Sequence, residues 1–269
     1  KRNQTSSYTS TPEKTVGGAD FQLNATVNSN LPISFTSSNT NALTINGNIA
    51  TIVGAGTTII TASQAGNANY NATTKEAQVL VVREASQTIT FVLNFTNNRL
   101  YADADRTLNA SSDSGLPVTY TSSDPNVIAV NGNVVSFVGV GNGIVITAKQ
   151  IGNNNYKAAL DVTQTINVSK AGQIITFNPP TNVTYGDPNF TLSATSNSGI
   201  PVSFLSWDAN IVTVSGNNAF IFDVGTTTLQ ASNTGNSLYE PASSLKTITV
   251  NKANQTIIFN SLSVVQEPV

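Results

Sequence analysis

Short runs in which apolar and polar residues alternate follow one another along nearly the whole chain, separated by Gly, Asn, Asp and Pro. A period of two turns one set of side chains inward and the other outward, the pattern of a strand half-buried in a sheet. Over residues 86–171 the pattern predicts strands near 87–93, 106–111, 117–122, 126–131, 133–138, 143–150 and 160–168. "NGN" at 131–133 sits between two of them, where Asn-Gly supplies the positive φ angles of a tight hairpin turn. Pro32, Pro117 and Pro201 precede the third strand, where a missing N–H is tolerated. No stretch has both the length and the 3.6-residue periodicity of a helix.

The pattern repeats. "QTITF" at 87–91, "QIITF" at 173–177 and "QTIIF" at 255–259 lie 86 and 82 residues apart, and the same period projected backwards lands on "NQTSSY" at 3–8, a copy whose apolar strand positions have become serines. "LPISF" at 31–35 matches "LPVTY" at 116–120 and "IPVSF" at 200–204, and "GNANYNA" at 66–72 matches "GNNNYKA" at 152–158 and "GNSLYEP" at 235–241. The chain therefore reads as repeat 1 (1–85), repeat 2 (86–171), repeat 3 (172–253) and the first strand of a fourth repeat (254–269). It opens without Met and stops inside a copy, so it is expected to be a piece of a longer protein. Seven short strands in about 85 residues is the size of an immunoglobulin-like module. The expected fold class is all-β: tandem immunoglobulin-like β-sandwiches in an elongated array.

The run "LPVTYTSSDPNVIAVNGNVVSFVGVGNGIVITA" at 116–148 resembles the bacterial immunoglobulin-like (Big-type) repeats of large surface proteins. The "GNxxY" element and the Ala-Gly-Gln start are similar to repeats of giant secreted adhesins from gliding, Bacteroidota-type bacteria. That resemblance implies strings of sandwich domains used as stalks and adhesive arms on the cell surface or outside it, exported by type IX secretion, and no catalysis in the repeats themselves.

Composition narrows the chemistry. The chain has no His and no Cys, so the usual general base near neutral pH, thiol nucleophiles, disulfides and the commonest zinc sites are excluded. Only 10% of residues are charged, against about 25% in an average globular protein, so solubility must come from Ser, Thr and Asn. A net charge of −2 supplies no basic field for nucleic acid or an anionic membrane. No apolar run reaches the roughly 20 residues needed to span a bilayer, so membrane insertion is not expected. The implied partners are other repeats of the chain, with a surface polysaccharide or a cell-surface protein as further candidates.

Candidate residues are few. Asp103 and Asp105 in "YADADR" are calcium candidates, but no repeat supplies more than two acids where calcium wants six to eight oxygens, so turn formation is the alternative and no cofactor is expected. Two carboxylates facing each other for glycoside hydrolysis are not evident, and no enzyme activity is expected. Tyr70, Tyr156 and Tyr239 recur after the Gly-Asn turns and are expected to close the end of each sandwich, with the hydroxyl bonded to a loop. Trp207, the one tryptophan, aligns with Ser38 and Ser123, Leu205 with Thr36 and Thr121, and Phe220 with Thr51 and Ser136. Repeat 3 has thus exchanged polar surface positions for apolar ones, and Trp207, Leu205 and Phe220 are the candidate contact residues; whether they cluster depends on strand order, and in a standard sandwich the strands of Trp207 and Phe220 lie in different sheets. Packing against a loop or neighbouring module, ligand contact and incidental exposure all remain open for Trp207. The favoured function is a non-catalytic stalk segment that holds a terminal binding or sorting region away from the cell. The alternatives are a carbohydrate-binding module with its site on repeat 3, or a spacer in a polysaccharide-degrading enzyme.

Overall fold

The computed structural model describes residues 1–259, and among them every regular element is a strand. The first nine are β1 (Ser6–Tyr8), β2 (Lys14–Thr15), β3 (Phe21–Gln22), β4 (Ala25–Val27), β5 (Ser34–Ser37), β6 (Leu43–Asn46), β7 (Ile49–Ile52), β8 (Gly56–Ser63) and β9 (Glu76–Arg83). The next nine are β10 (Ile89–Phe91), β11 (Asn98–Leu100), β12 (Arg106–Thr107), β13 (Ala110–Ser112), β14 (Thr119–Ser122), β15 (Ile128–Asn131), β16 (Val134–Phe137), β17 (Gly141–Lys149) and β18 (Val162–Ser169). The last nine are β19 (Ile175–Phe177), β20 (Asn182–Thr184), β21 (Phe190–Thr191), β22 (Ala194–Ser196), β23 (Ser203–Ser206), β24 (Val212–Ser215), β25 (Asn218–Ile221), β26 (Gly225–Asn233) and β27 (Ala242–Asn251). Lys252–Phe259 carry no strand, and the rest of the segment read as the start of a fourth repeat lies outside the described residues.

Each set of nine is paired in the same way. In the middle set β10 pairs with β13, β12 with β16 and β15, and β11, β18, β17 and β14 form a four-stranded sheet in that order. Each set thus forms a two-, a three- and a four-stranded sheet, and the chain is an all-β tandem of immunoglobulin-like units. The structure differs from the sequence reading at two places in this set. The single strand expected at 106–111 is two strands in different sheets: Arg106–Thr107 bond β16, Ala110–Ser112 bond β10, and the buried Leu108 marks the crossing between them. Beyond the seven expected, β11 runs parallel to β18, with Arg99 opposite Val168.

The residues fall into two compact units, the first of 1–97, 104–136 and 143–166, the second of 98–103, 137–142 and the residues from 167 on. In the first unit Leu23, Leu43, Ala50, Ile60, Leu80 and Val82 form one core cluster, and Phe91, Leu108, Ile128 and Ile146 are buried at the matching positions of the next repeat. In the second, Phe177, Leu192, Val212, Leu229, Ile248 and Val250 do the same. The last aromatic of each "Q-x-x-x-F/Y" motif meets the aromatic of the "LPxxF/Y" strand: Tyr8 with Phe35, Phe91 with Tyr120 and Phe177 with Phe204, at centroid distances of 5.6–5.7 Å. Aromatic pairs of this kind add specificity beyond the area they bury.

The motif's first residue is as constrained as its last. Gln87 is buried, and its carboxamide is a hub. Its Nε2 donates to Gln150 Oε1 at 2.6 Å and to the Lys157 carbonyl at 2.7 Å, while its Oε1 accepts from Ser112 Oγ at 2.6 Å and Ser114 Oγ at 2.5 Å. One side chain thus ties the entry of β10 to the turn after β13, to the end of β17 and to the Gly-Asn loop. Gln173 makes the same contacts with Asn233, Glu240, Ser196 and Ser198. Gln4 makes them with Gln64, Asn71 and Ser29. A buried amide without partners is costly, so the network requires all its members.

The Gly-Asn-x-x-Tyr loop is built to meet that hub. Gly152 has φ +78°, and a Cβ there would strike the Tyr156 carbonyl oxygen, so both the backbone angle and the space demand glycine. Asn153 Oδ1 accepts from the Asn155 and Tyr156 N–H groups, closing an Asx turn. The loop's tyrosine then forms a parallel bridge with the chain just upstream of the glutamine: Arg2 with Tyr70, Ala85 with Tyr156, Ala171 with Tyr239.

Replacing Gln87 by Ala is expected to lower the stability of repeat 2 by about 3 kcal/mol, because Gln150, Ser112, Ser114 and the Lys157 carbonyl lose their common partner. Gln255→Ala, at the exposed copy of this position, is expected to change nothing. Urea titration of both variants checks this; equal midpoints would show that the hub is dispensable.

Candidate functional site

The outer face of the sheet formed by β20, β27, β26 and β23 carries three exposed apolar side chains. Leu205 on β23 stands opposite Gln230 on β26, which stands opposite Leu245 on β27. Trp207 follows β23 directly; its backbone N–H donates to the Thr228 carbonyl, and its indole Nε1 donates to Gln230 Oε1 at 3.2 Å. The indole therefore leans over the Leu205–Gln230–Leu245 row. All three apolar side chains are open to solvent, at 57% (Leu205), 62% (Trp207) and 48% (Leu245). The intervening Val202, Phe204 and Leu229 face the core, as alternation along the strand requires.

Phe220 does not join this face. It lies on β25 opposite Thr213, in the sheet of β21, β25 and β24, and is half-buried. Leu245 is the member that sequence alignment did not supply. The segment from Tyr239 into β27 is a residue shorter than its counterparts, and that slip hides the correspondence.

The serines that Trp207 replaces have a specific task. Ser38 Oγ accepts the Ile59 N–H at 2.8 Å and Ser123 Oγ accepts the Val145 N–H at 2.9 Å, each across the strand pair just where the sheet ends. Trp207 offers no acceptor at the matching place, beside Thr228. The neighbouring Asp208, by contrast, keeps an inherited role: its Oδ1 accepts the Asn210 N–H, as Asp124 does for Asn126 and Asn39 for Asn41. It is a turn former.

Asp103 is a turn former too. Its Oδ2 accepts the Leu100 N–H at 3.0 Å and pairs with Arg99 at 2.9 Å, while Asp187 accepts the Thr184 N–H in the same turn of repeat 3. Asp105 is exposed. Among the described residues no three His, Cys, Asp or Glu side chains gather in one place. Elsewhere, electrostatic shifts belong to surface contacts. The Arg83 guanidinium, bonded to both Glu13 oxygens at 2.6 and 2.7 Å, holds that carboxyl below its ordinary value and is itself raised by it. Asp113 is held down chiefly by the Thr88 backbone N–H and then by its hydroxyl. The open groove of repeat 1, about 570 Å³ and lined by Leu23, Asn24, Ile33, Phe35 and Asn48 among others, has no titratable side chain in its wall.

The seams between consecutive repeats are the other specific surfaces. Strand β9 ends at Arg83 and Ala85 is already bridged to Tyr156, so Glu84 alone links them; Lys170 alone separates β18 from the bridged Ala171. Across the first seam Asn155 Oδ1 accepts the Ala55 N–H at 2.9 Å, and a Cβ on Gly54 would strike that same oxygen at 2.9 Å. Across the second, Tyr239 meets Tyr101 edge-on, with centroids 5.4 Å apart and planes at 86°. The ring expected to close its own sandwich thus packs on the preceding repeat.

No protein-family profile and no curated protein matches the chain. Among solved structures it is similar to Sidekick-1 immunoglobulin domains 1–5, at 13% identity and a TM-score of 0.36, over 93% of this chain and 59% of that one. It is similar to Drosophila N-cadherin EC1–3 at 11% identity and a TM-score of 0.33, over 90% of this chain and 98% of that one. Surface layer protein SbsC, domains 4–9, matches at 14% identity and a TM-score of 0.25, over 82% of this chain and 39% of that one. The chain thus spans less than two thirds of the Sidekick-1 and SbsC structures. No helix among the described residues is long and apolar enough to cross a membrane.

Trp207→Ser is expected to leave repeat 3 folded and as stable as before, or more stable by up to about 1 kcal/mol, since serine restores an acceptor for the Thr228 N–H. Thermal melting checks this; loss of the repeat-3 transition would show that the indole is a packing residue.

Proposed function

We propose that the chain is a non-catalytic segment of an adhesive or structural stalk in a large bacterial surface or secreted protein, each repeat being one module. The observation that carries this reading is the one-residue link: Glu84 and Lys170 are each held between a finished sheet and a backbone bridge, leaving little freedom for a hinge. A tether would use a flexible Gly/Ser-rich stretch instead. The bacterial and gliding-adhesin setting rests on the motif resemblance alone. Modules of about ten-residue strands measure roughly 35 Å each, so small-angle scattering is expected to give a maximum dimension of about 100 Å. A radius of gyration near that of one globular domain of this length would defeat the reading.

A second reading is favoured by the exposed Trp207 face: contact with a carbohydrate, whose C–H groups stack on an indole and whose hydroxyls match Gln230, Thr228 and Thr247. Saturable binding on a glycan array that is lost in Trp207→Ser would support it. No binding by either protein would remove it.

A further inference from the structure

The second seam has an unfilled copy. In repeat 2 the Tyr101 N–H donates to the Ser169 carbonyl, Lys170 follows, and Ala171 bridges Tyr239, whose ring then meets Tyr101. In repeat 3 the Tyr185 N–H donates to the Asn251 carbonyl, Lys252 follows, and Ala253 occupies the place of Ala171. Every component of the socket recurs in order, down to the glycine with φ +92° after Tyr185 where Ala102, with φ +57°, follows Tyr101. Tyr101 is half-buried, whereas Tyr185 is 50% exposed, and Ala253 has no bridge partner among the described residues. The first seam lacks this device, because Val16, whose N–H donates to the Arg83 carbonyl, stands where Tyr101 stands.

A second difference bears on what fits here. At the first seam the Ala55 N–H needs Asn155 of the next repeat, and Gly54 leaves room for it. At the end of repeat 3, Asp223 replaces that glycine and its own Oδ1 accepts the Val224 N–H at 2.7 Å. The polar demand is met within the repeat, so an incoming module is recognised by its aromatic ring. Residues 253–259 themselves carry the opening of the repeat: Gln255, Ile257 and Phe259 match Gln87, Ile89 and Phe91, yet Ile257 and Phe259 are 91% and 84% exposed where Ile89 and Phe91 are buried.

We propose that Tyr185, together with the free backbone of Ala253, is a docking seat for the Gly-Asn-x-x-Tyr loop of a further repeat of this type, joined through Lys252. The partner is identified by continuity with the Tyr101–Tyr239 seam. The proposal rests on the stalk reading in that it adds a module to the same series, and it names the surface that would receive it.

The test uses the chain with an added repeat. A second copy of residues 170–251 is appended after Asn251, with Tyr185→Phe in the appended copy so that one reporter remains, and tyrosine nitration is mapped by mass spectrometry. Tyr185 of the original repeat is expected to fall from fast nitration in the unextended chain to the rate of Tyr101, and Tyr239→Ser in the appended copy is expected to restore the fast rate. Fast nitration of Tyr185 beside an appended repeat whose amides are protected from exchange would overturn the seat. If that copy does not fold, residues 84–169 serve as the appended repeat, with Tyr156 as the incoming ring and the same outcomes. Scattering from the same samples separates the two readings: an extended particle with unprotected Tyr185 overturns the seat alone, and a compact particle with protected Tyr185 overturns the stalk alone.

Discussion

A carboxamide removed from water must have both its nitrogen and its oxygen bonded, and in this protein that requirement organises each repeat. The glutamine that opens the "Q-x-x-x-F/Y" motif takes its partners from three places well removed from it in the sequence. To satisfy Gln87, the Ser112–Ser114 turn, Gln150 and the Lys157 carbonyl must all arrive at one point. The apolar core tells the strands which face to bury, but Leu, Ile and Val in a sandwich tolerate small shifts. A saturated polar network in a dry place does not. It also explains why "Gly-Asn-x-x-Tyr" recurs with so little variation, since that loop must present its carbonyl to the hub and its backbone to the strand that enters the module.

Because the hub fixes the entrance of each module, it fixes the joints as well. The residue two positions before the glutamine is bridged to the module it enters, and the residue two positions before that ends the sheet of the preceding one. The seams then differ in chemistry: an asparagine reaching a backbone N–H at the first, two tyrosines meeting edge-on at the second. The repeat-3 face around Trp207 varies by contrast outside this framework. Its exchange of serine for tryptophan gives up a sheet-end hydrogen bond that the other repeats keep, and the core beneath it is unaffected.

Much of this was legible in the sequence because strand alternation and repeat register are local properties. The outward orientation of Leu205 and Trp207 followed from parity and from the serines and threonines in their places. What was not legible depended on pairing. The three residues of β11 are too few to show a period, and their pairing with β18 is decided some seventy residues away. The change of sheet at Leu108 looks, in the sequence, like one continuous strand. Alignment puts Phe220 and Trp207 in one set, a standard sandwich puts their strands in different sheets, and the strand order does the same; Leu245 was hidden by a one-residue slip. The tyrosines were recognised as structural, but their alignment could not tell a ring packed on its own module from one packed on its neighbour.

The parallel pairing of β11 with β18, repeated as β2 with β9 and β20 with β27, has a mechanical consequence. The chain leaves each module through the second strand of such a pair, and reaches the first only after the entry strand β1, β10 or β19, which pairs antiparallel inside the module. Tension that has passed the entry strand draws the paired strands past each other along their length, and their hydrogen bonds are strained together in shear. An antiparallel pair pulled from its open end would instead lose its bonds singly, like a zip. Under force the survival of such a module is governed by its unfolding rate, and the few bonds of these short parallel pairs carry the load once the entry strand and its glutamine hub have given way.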